Sequence, residues 1–397
     1  MNVPKQLIVL GNGFDLASGL KSTYSGFFDA VLRNNEVSYT LIKDHFNMYK
    51  NGDNFWDKMS SKDKKAILGV NVWILLFINS DLEKDSTWQS VEEQIAKFLN
   101  KNLIEIISGA NGKNTYSPGI PEEYQRAATI VNGIIQDKEM NLNFFKNNTA
   151  KFLMDELNNL EKEFEQYLFV NAGYGQGEDG QGLFDYFEPA RKLLTQIIED
   201  STDKMQYNLM SFNYTDPWDK RWEKNGGLTD DFLHPVKALS VHGQALKRRE
   251  ESVNRIIFGI DNKNISINSL NYIFTKTFRT LVGYSDVRTP QSAIKNNIFD
   301  KSITTIKFFG HSLGEADYSY FQQMFDYYDL YNNDELKLYF YFKQHGSQDV
   351  LEHLRLQSEM IIKLLEKYGE TMTNKDHGKN LITRLQMTKR LYIKEIK

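Results

Sequence analysis

Gln6-Leu7-Ile8-Val9-Leu10-Gly11-Asn12-Gly13-Phe14-Asp15 is the stretch that decides the fold. Leu7–Leu10 is an uninterrupted apolar run stopped by glycine, the pattern of a fully buried strand. A Gly-x-Gly turn follows, and then Leu16, Leu20, Phe27, Phe28, Val31 and Leu32 fall at helical spacing. Strand, glycine turn and helix start together form the geometry that lets backbone N–H groups approach a phosphate. The six-residue dinucleotide fingerprint G-x-G-x-x-G is not met, because its third glycine is Leu16 and the next glycine is Gly19. Taken alone, a tight βα turn with no ligand explains these residues equally well.

Composition narrows the class. A chain of 397 residues accommodates one large domain or two ordinary ones. With 41% hydrophobic and 25% charged residues it is globular rather than disordered. The 26 Phe and 21 Tyr can fill a substantial core, and 7 prolines favour long helices. A formal net charge of −4 argues against a generally basic nucleic-acid binder. The absence of cysteine excludes disulfides, thiolate catalysis and Cys-ligated zinc, and fits a reducing cytosol. No signal peptide is evident, and the apolar run near Val70–Ile78 is broken by Asn71 and too short to span a bilayer. The chain therefore reads as soluble and cytoplasmic.

Strand signals lie towards the two ends: Leu7–Leu10, then Asn208–Phe212, Val236–Val241, Arg255–Gly259, Thr304–Phe309 and Leu336–Phe342. Between them, Lys64–Ile78, Val91–Ile107, Tyr124–Ile135 and Phe145–Phe169 carry apolar residues at helical intervals. Gly173–Gly182 is a glycine-rich polar loop, and Asp349–Lys367 and Asn380–Lys394 read as terminal amphipathic helices. The expected architecture is α/β, with a mostly parallel, Rossmann-like sheet covered on both faces. Residues 1–34 and 201–345 would form that core, 35–200 a helical insertion and 346–397 the C-terminal helices.

Four short motifs sit at expected strand ends: Gly11–Asp15, Ser211-Phe212-Asn213-Tyr214-Thr215-Asp216, Val241-His242-Gly243, and Gly310-His311-Ser312-Leu313-Gly314 with Asp317 behind it. Ligands of open parallel sheets bind beyond the carboxyl ends of the strands, so these four are placed to converge. Each also has a plainer reading. Asn213 could cap a helix beginning at Pro217–Trp222, His242 could be a hydrogen-bonded structural residue, and Asp15 and Asp317 could be N-caps.

The blocks GNGFDLASGLKSTYSGF, SFNYT, VHG with the later IIFGID, and GHSLGEADY resemble the signature blocks of the AbiH family of bacteriophage abortive-infection proteins. Trp88 with Glu92 resembles a weaker element of that family. AbiH proteins are in turn remotely similar to sirtuin-like NAD-binding domains of anti-phage systems. The resemblance implies NAD as the substrate, cleaved at the nicotinamide–ribose bond, with Asn213 and His242 as catalytic residues. It implies Gly11 and Gly13 along the diphosphate, with Asn12, Phe14 and Asp15 beside them and Thr23 and Tyr24 closing over it. Gly310, Ser312 and Leu313 would support the adenosine side, with Asp317 adjoining. No metal is expected; a phage-derived trigger and a homo-oligomer are, whereas a membrane or nucleic-acid partner is not. Two departures stand out: Thr215 replaces the aspartate of the related Asn-x-Asp block, and Asp15 brings a carboxylate to the glycine loop, where it would repel a diphosphate unless it faces a ribose or the helix N-terminus.

Three other readings stay open. Gly310–Gly314 matches the G-x-S-x-G elbow of serine hydrolases. After Ser312, however, only one clear strand remains, Leu336–Phe342, with His345 behind it and Asp326, Asp329 and Asp334 before it. One strand cannot supply two triad members in the usual arrangement. A metal-dependent nuclease would need Asp15, Asp216 and Asp317 to cluster. A non-catalytic nucleotide-binding sensor would use the same sheet edge without chemistry.

Overall fold

The computed structural model describes residues 5–34, 39–41, 43–44, 55–79, 91–100, 103–104, 107, 122–137, 146–170, 186–198, 206–218, 234–245, 256–262, 265–283, 297–344 and 350–396. Trp88, the glycine-rich stretch 173–182 and His345 lie outside them. The chain divides into two units. The first comprises Met1–Ser22, Leu168–Ile256 and Asp286–Lys397; the second comprises Thr23–Tyr167 and Ile257–Ser285.

The first unit is built on six parallel strands: β1 (Gln6–Leu10), β2 (Tyr207–Ser211), β3 (Lys237–Ser240), β4 (Thr305–Phe309), β5 (Lys337–Phe342) and β6 (Leu391–Glu395). Their order across the sheet is β3-β2-β1-β4-β5-β6. This is the doubly wound order, in which the winding reverses between β1 and β4. Ile8 lies level with Leu209 on one side and Lys307 on the other, which brings the carboxyl ends of β1, β2 and β4 to one edge. β1 is wholly buried, as its unbroken apolar run requires of a central parallel strand.

One sheet face carries Leu7, Val9, Met210, Ile306, Phe308, Leu338 and Phe340 into a core completed by helices Tyr318–Tyr328, Val350–Thr371 and Lys375–Met387. Phe308 and Phe340 stack across β4 and β5 with ring centroids 4.5 Å apart. On another strand position a lysine is buried: Lys307 donates from Nζ to Ile197 O at 2.7 Å and Ile198 O at 3.1 Å. It thereby caps the carbonyl end of helix Phe187–Ile198, where a cation meets the negative end of the helix dipole.

The second unit is helical, with helices Tyr24–Asn34, Phe55–Lys58, Ser61–Leu68, Val72–Asn79, Val91–Asn100 and Glu122–Asp137, most of Lys146–Val170, and Lys276–Gly283. The single helix expected over Lys64–Ile78 is two helices. Asn71 separates them, its Oδ1 accepting the Trp73 N–H at 2.9 Å and so starting a new helix. No described helix is long and apolar enough to cross a membrane.

Two expectations are corrected. Residues 256–259 are not a strand: the Phe258 N–H is taken by Glu161 Oε1 at 2.7 Å, and Ile260 makes only an isolated bridge to Thr275. The helix expected to run to Lys394 ends at Met387, and the residues after it form β6. Lys389 adopts φ 52°, with its N–H on Gln386 O and the Arg390 N–H on Leu385 O. That is a Schellman stop carried by lysine where glycine is usual, which leaves no glycine in the sequence to announce it. The Arg390 guanidinium then donates to Leu330 O and Asn333 O, tying the turn to the loop before β5.

Helices Val350–Thr371 and Lys375–Met387 meet through Gly369 and Gly378, where a Cβ on Gly378 would stand 2.1 Å from Gly369 O. Gly378→Ala adds about 1 kcal/mol of helix propensity, but the contact allows no methyl group. Denaturant unfolding is expected to show a net loss of about 1–3 kcal/mol. A gain would mean that the helices do not approach as described.

Candidate functional site at the carboxyl edge of the sheet

β1 runs directly into the glycine turn because that turn is anchored on β4. The Gly11 N–H donates to Phe309 O at 3.0 Å and the Gly13 N–H to Gly310 O at 2.8 Å. The approach is backbone to backbone: a Cβ on Gly13 would lie 2.6 Å from Gly310 Cα, and one on Gly310 would lie 2.4 Å from Phe14 N. Gly310 also has φ +69°, which L side chains rarely adopt. Asn12 holds the far side of the loop, accepting the Ser22 hydroxyl at 2.6 Å. Phe14 is fully buried and meets Phe309 edge to face at 6.3 Å.

Asp15 points into the protein. Its Oδ1 accepts the Tyr186 hydroxyl at 2.6 Å and Asn213 Nδ2 at 3.1 Å, and the Thr215 hydroxyl lies 2.8 and 2.9 Å from its two oxygens. These three donors are neutral. Burial therefore dominates, pushing the carboxyl up from 3.8 to about 7, against the opposing pull of Tyr186, Thr215 and Asn213. Asn213 thus spends its amide nitrogen on Asp15. Its Oδ1 is buried and has no hydrogen-bond partner among the described residues. Of the expected helix Pro217–Trp222, Pro217 and Trp218 form a turn and the remainder lies outside the described residues.

A second cluster gathers the ends of β2, β3 and β4. The Phe212 ring lies 4.3 Å from His311, 5.6 Å from His242, 5.7 Å from Tyr320 and 5.5 Å from Phe321, centroid to centroid. Above it, Asp317 bridges two imidazoles. His242 Nε2 is 3.1 Å from Oδ1, and His311 Nε2 is 3.3 Å from Oδ2. His311 Nδ1 accepts the Leu313 N–H at 2.8 Å, a contact made by Leu313 at φ 54°.

The four motifs therefore form one continuous edge. Phe212 belongs to the histidine cluster and the adjoining Asn213 to the Asp15 cluster. Ser312 is exposed and its hydroxyl makes no hydrogen bond among the described residues; the left-handed residues of its loop are Gly310 and Leu313. That geometry gives an elbow nucleophile no base. Asp15 and Asp317 face different partners, and no group of three or more acidic or histidine side chains among the described residues is arranged to hold a metal ion. Tyr186 and His311 are absent from the residues expected from the sequence, and Thr215 stands there only as the replacement for an aspartate. His311 stood inside a quoted motif whose serine drew the reading. Tyr186 had no signal, since it precedes its helix by one residue and only the folded chain brings it to Asp15.

Thr23 and Tyr24 begin the second unit. Thr23 Oγ1 accepts the Gly26 N–H at 3.0 Å at the start of helix Tyr24–Asn34, and the Tyr24 ring packs on Phe164 and Phe258. In the same unit Glu161 pairs with Arg279 and holds the Phe258 N–H, while Glu92 pairs with Lys276 at 3.0 Å. Burial raises the Glu161 carboxyl above its ordinary range even with Arg279 beside it. These pairs fix the IIFGID block locally.

A doubly wound parallel sheet with polar side chains converging at its carboxyl edge, astride the point where the winding reverses, defines a Rossmann-like α/β protein. Comparison with known families makes the assignment specific: the family model for bacteriophage abortive infection AbiH matches residues 7–340. The chain belongs to the AbiH family. No curated protein matches it.

The Asp15 carboxyl yields a pH prediction. Its folded value of about 7 exceeds the ordinary 3.8, so the fold favours the protonated form. Its contribution to stability is whole below the ordinary carboxylate range and is lost as pH rises through about 7. Between pH ~4 and ~8 the loss amounts to about 4 kcal/mol at 1.36 kcal/mol per unit. Urea unfolding across that range should show the loss in wild type and a flatter profile in Asp15→Asn. Parallel profiles would contradict the buried carboxyl.

Proposed function

We propose that this protein is an abortive-infection effector that binds NAD at the carboxyl edge of the first-unit sheet and hydrolyses its nicotinamide–ribose bond. The observation that carries the reading is Asn213 Oδ1, a buried acceptor without a partner among the described residues. Leaving such an atom unpaired costs about 1–3 kcal/mol, which a ligand hydroxyl or a bound water would recover. It sits beyond the carboxyl end of β2, next to the strand pair where doubly wound sheets take dinucleotides. The inward turn of Asp15, and its readiness to be neutral near pH 7, remove the repulsion that a carboxylate in the glycine loop would exert on a diphosphate. Gly11 and Gly13 then act by close approach, shaping the floor of the site, with Asn12 beside them and Phe14 packed beneath on Phe309.

In the step itself the C1′–nitrogen bond breaks, and its electron pair passes to the nicotinamide ring, discharging the pyridinium. Water forms the new bond to C1′, and its proton goes to His242. The products are nicotinamide, ADP-ribose and a proton. Asn213 orients the ribose or the water, and His242 is the general base.

Incubating the purified protein with NAD, with and without a phage lysate, and measuring free nicotinamide tests the reading. His242→Ala is expected to lower the rate at least 100-fold, in the range typical of a general base. Asn213→Ala should abolish most of it, and Ser312→Ala should cause only partial loss. Absence of nicotinamide in every condition would overturn the proposal. Ester hydrolysis lost only in Ser312→Ala, or metal-dependent cutting of tRNA or DNA lost in Asp15→Ala, would replace it.

A further inference from the structure

We propose that His311 and Asp317 are positioning residues that fix the proton on Nε2 of His242, so that the basic atom of the site is His242 Nδ1. The inference rests on the proposed role of His242 and goes on to name its reactive atom and the residues that set it.

Leu313 sets the first proton. A backbone N–H can only donate, so the 2.8 Å contact from Leu313 N makes His311 Nδ1 an acceptor. An accepting Nδ1 carries no proton, and the neutral ring must carry it on Nε2. His311 Nε2–H therefore donates to Asp317 Oδ2 at 3.3 Å. Asp317 stands at the N-cap of the 11-residue helix Tyr318–Tyr328 without capping it through its side chain. The positive end of the helix dipole favours the carboxylate there. An ionised carboxylate only accepts, so its Oδ1, 3.1 Å from His242 Nε2, requires a proton on that nitrogen. His242 Nδ1 is left with the lone pair. It has no hydrogen bond among the described residues, and the side chain keeps 7% exposure. Phe212 at 5.6 Å and Tyr320 at 6.2 Å pack against the ring. Leu313 in its left-handed conformation is thus the first link in a chain of proton positions ending at His242.

The charge-to-amide change Asp317→Asn exposes this logic. Asparagine offers one acceptor where aspartate offers two. His311, locked as a donor by Leu313, takes the amide oxygen, and the amide NH₂ faces His242. His242 must then accept on Nε2 and carry its proton on Nδ1, the wrong tautomer for a base at that atom. Removing the competitor in His311→Ala/Asp317→Asn frees the amide oxygen to turn back to His242 and restores Nε2–H.

Long-range ¹⁵N–¹H correlation on the ¹⁵N-labelled full chain, at a pH about two units above the ordinary histidine value of ~6.5, reads both tautomers directly. Wild type should show Nε2–H at His242 and His311. Asp317→Asn should show Nδ1–H at His242 with His311 unchanged, and the double variant should return His242 to Nε2–H. In NAD cleavage, Asp317→Asn should lower kcat by about 10⁴-fold, the scale seen when a catalytic histidine is held in the wrong tautomer, with KM nearly unchanged. The double variant should recover part of the loss. Nδ1–H at His242 in wild type, or an unaltered His242 in Asp317→Asn, overturns the proposal; the wild-type measurement requires no variant to fold. The tautomers are read without substrate. A protein that leaves NAD intact yet shows both Nε2–H rings would support this assignment and overturn the NAD reading.

Discussion

The close approach of the β1 and β4 turns is the constraint on which the site depends. With Gly13 N–H on Gly310 O at 2.8 Å, no side chain can separate the two loops. This contact lies where the winding of the sheet reverses, so it closes the floor of the crevice that the strand order opens. Two of the polar side chains at the edge are hung on these loops, and Asn213 and His242 come to them from the ends of β2 and β3. Asp15 leaves the β1 turn towards β2, and His311 leaves the β4 turn towards Phe212 and Asp317. A larger residue at Gly13 or Gly310 would part the loops and move both clusters together.

The two clusters answer the same problem, burial of polar groups, in different ways. Around Asp15 the donors that hold it are neutral, and the carboxyl meets the cost of burial by binding its proton more tightly. Around Asp317 two imidazoles share one carboxylate, and backbone geometry at Leu313 decides which nitrogen carries each proton. Asn213 directly follows Phe212 of the histidine cluster; its amide nitrogen is spent on Asp15, and its buried oxygen has no partner among the described residues. A buried acceptor without a partner among the described residues is the arrangement expected of a site that awaits a hydroxyl or a water.

Much of this was legible in the sequence because the central strands of a parallel sheet advertise themselves. Leu7–Leu10, Asn208–Phe212 and Thr304–Phe309 are short apolar runs ending in polar motifs, and the fold brings those ends to one edge. What escaped did so for physical reasons. β6 follows a helix stop made by lysine, and its Leu-Tyr-Ile sequence continues an amphipathic pattern that a helix could also bear. The apolar stretch at 256–259 lacks ladder partners, since a carboxylate and a loop carbonyl take the N–H groups of Phe258 and Ile260. Tyr186 and Thr215 matter only through Asp15, and a buried carboxylate's partners cannot be read from spacing when they stand 171 and 200 residues away. The resemblance to AbiH proteins, carried by the strand-end blocks, is what the family match over residues 7–340 sustains.

The most direct test of the account is a crystal structure of the protein with ADP-ribose, which retains both riboses and the diphosphate. The account predicts a ribose hydroxyl within hydrogen-bond distance of Asn213 Oδ1, with the ligand lying across the carboxyl ends of β1 and β4. Binding elsewhere on the chain, or an Asn213 oxygen paired only with protein, would contradict it.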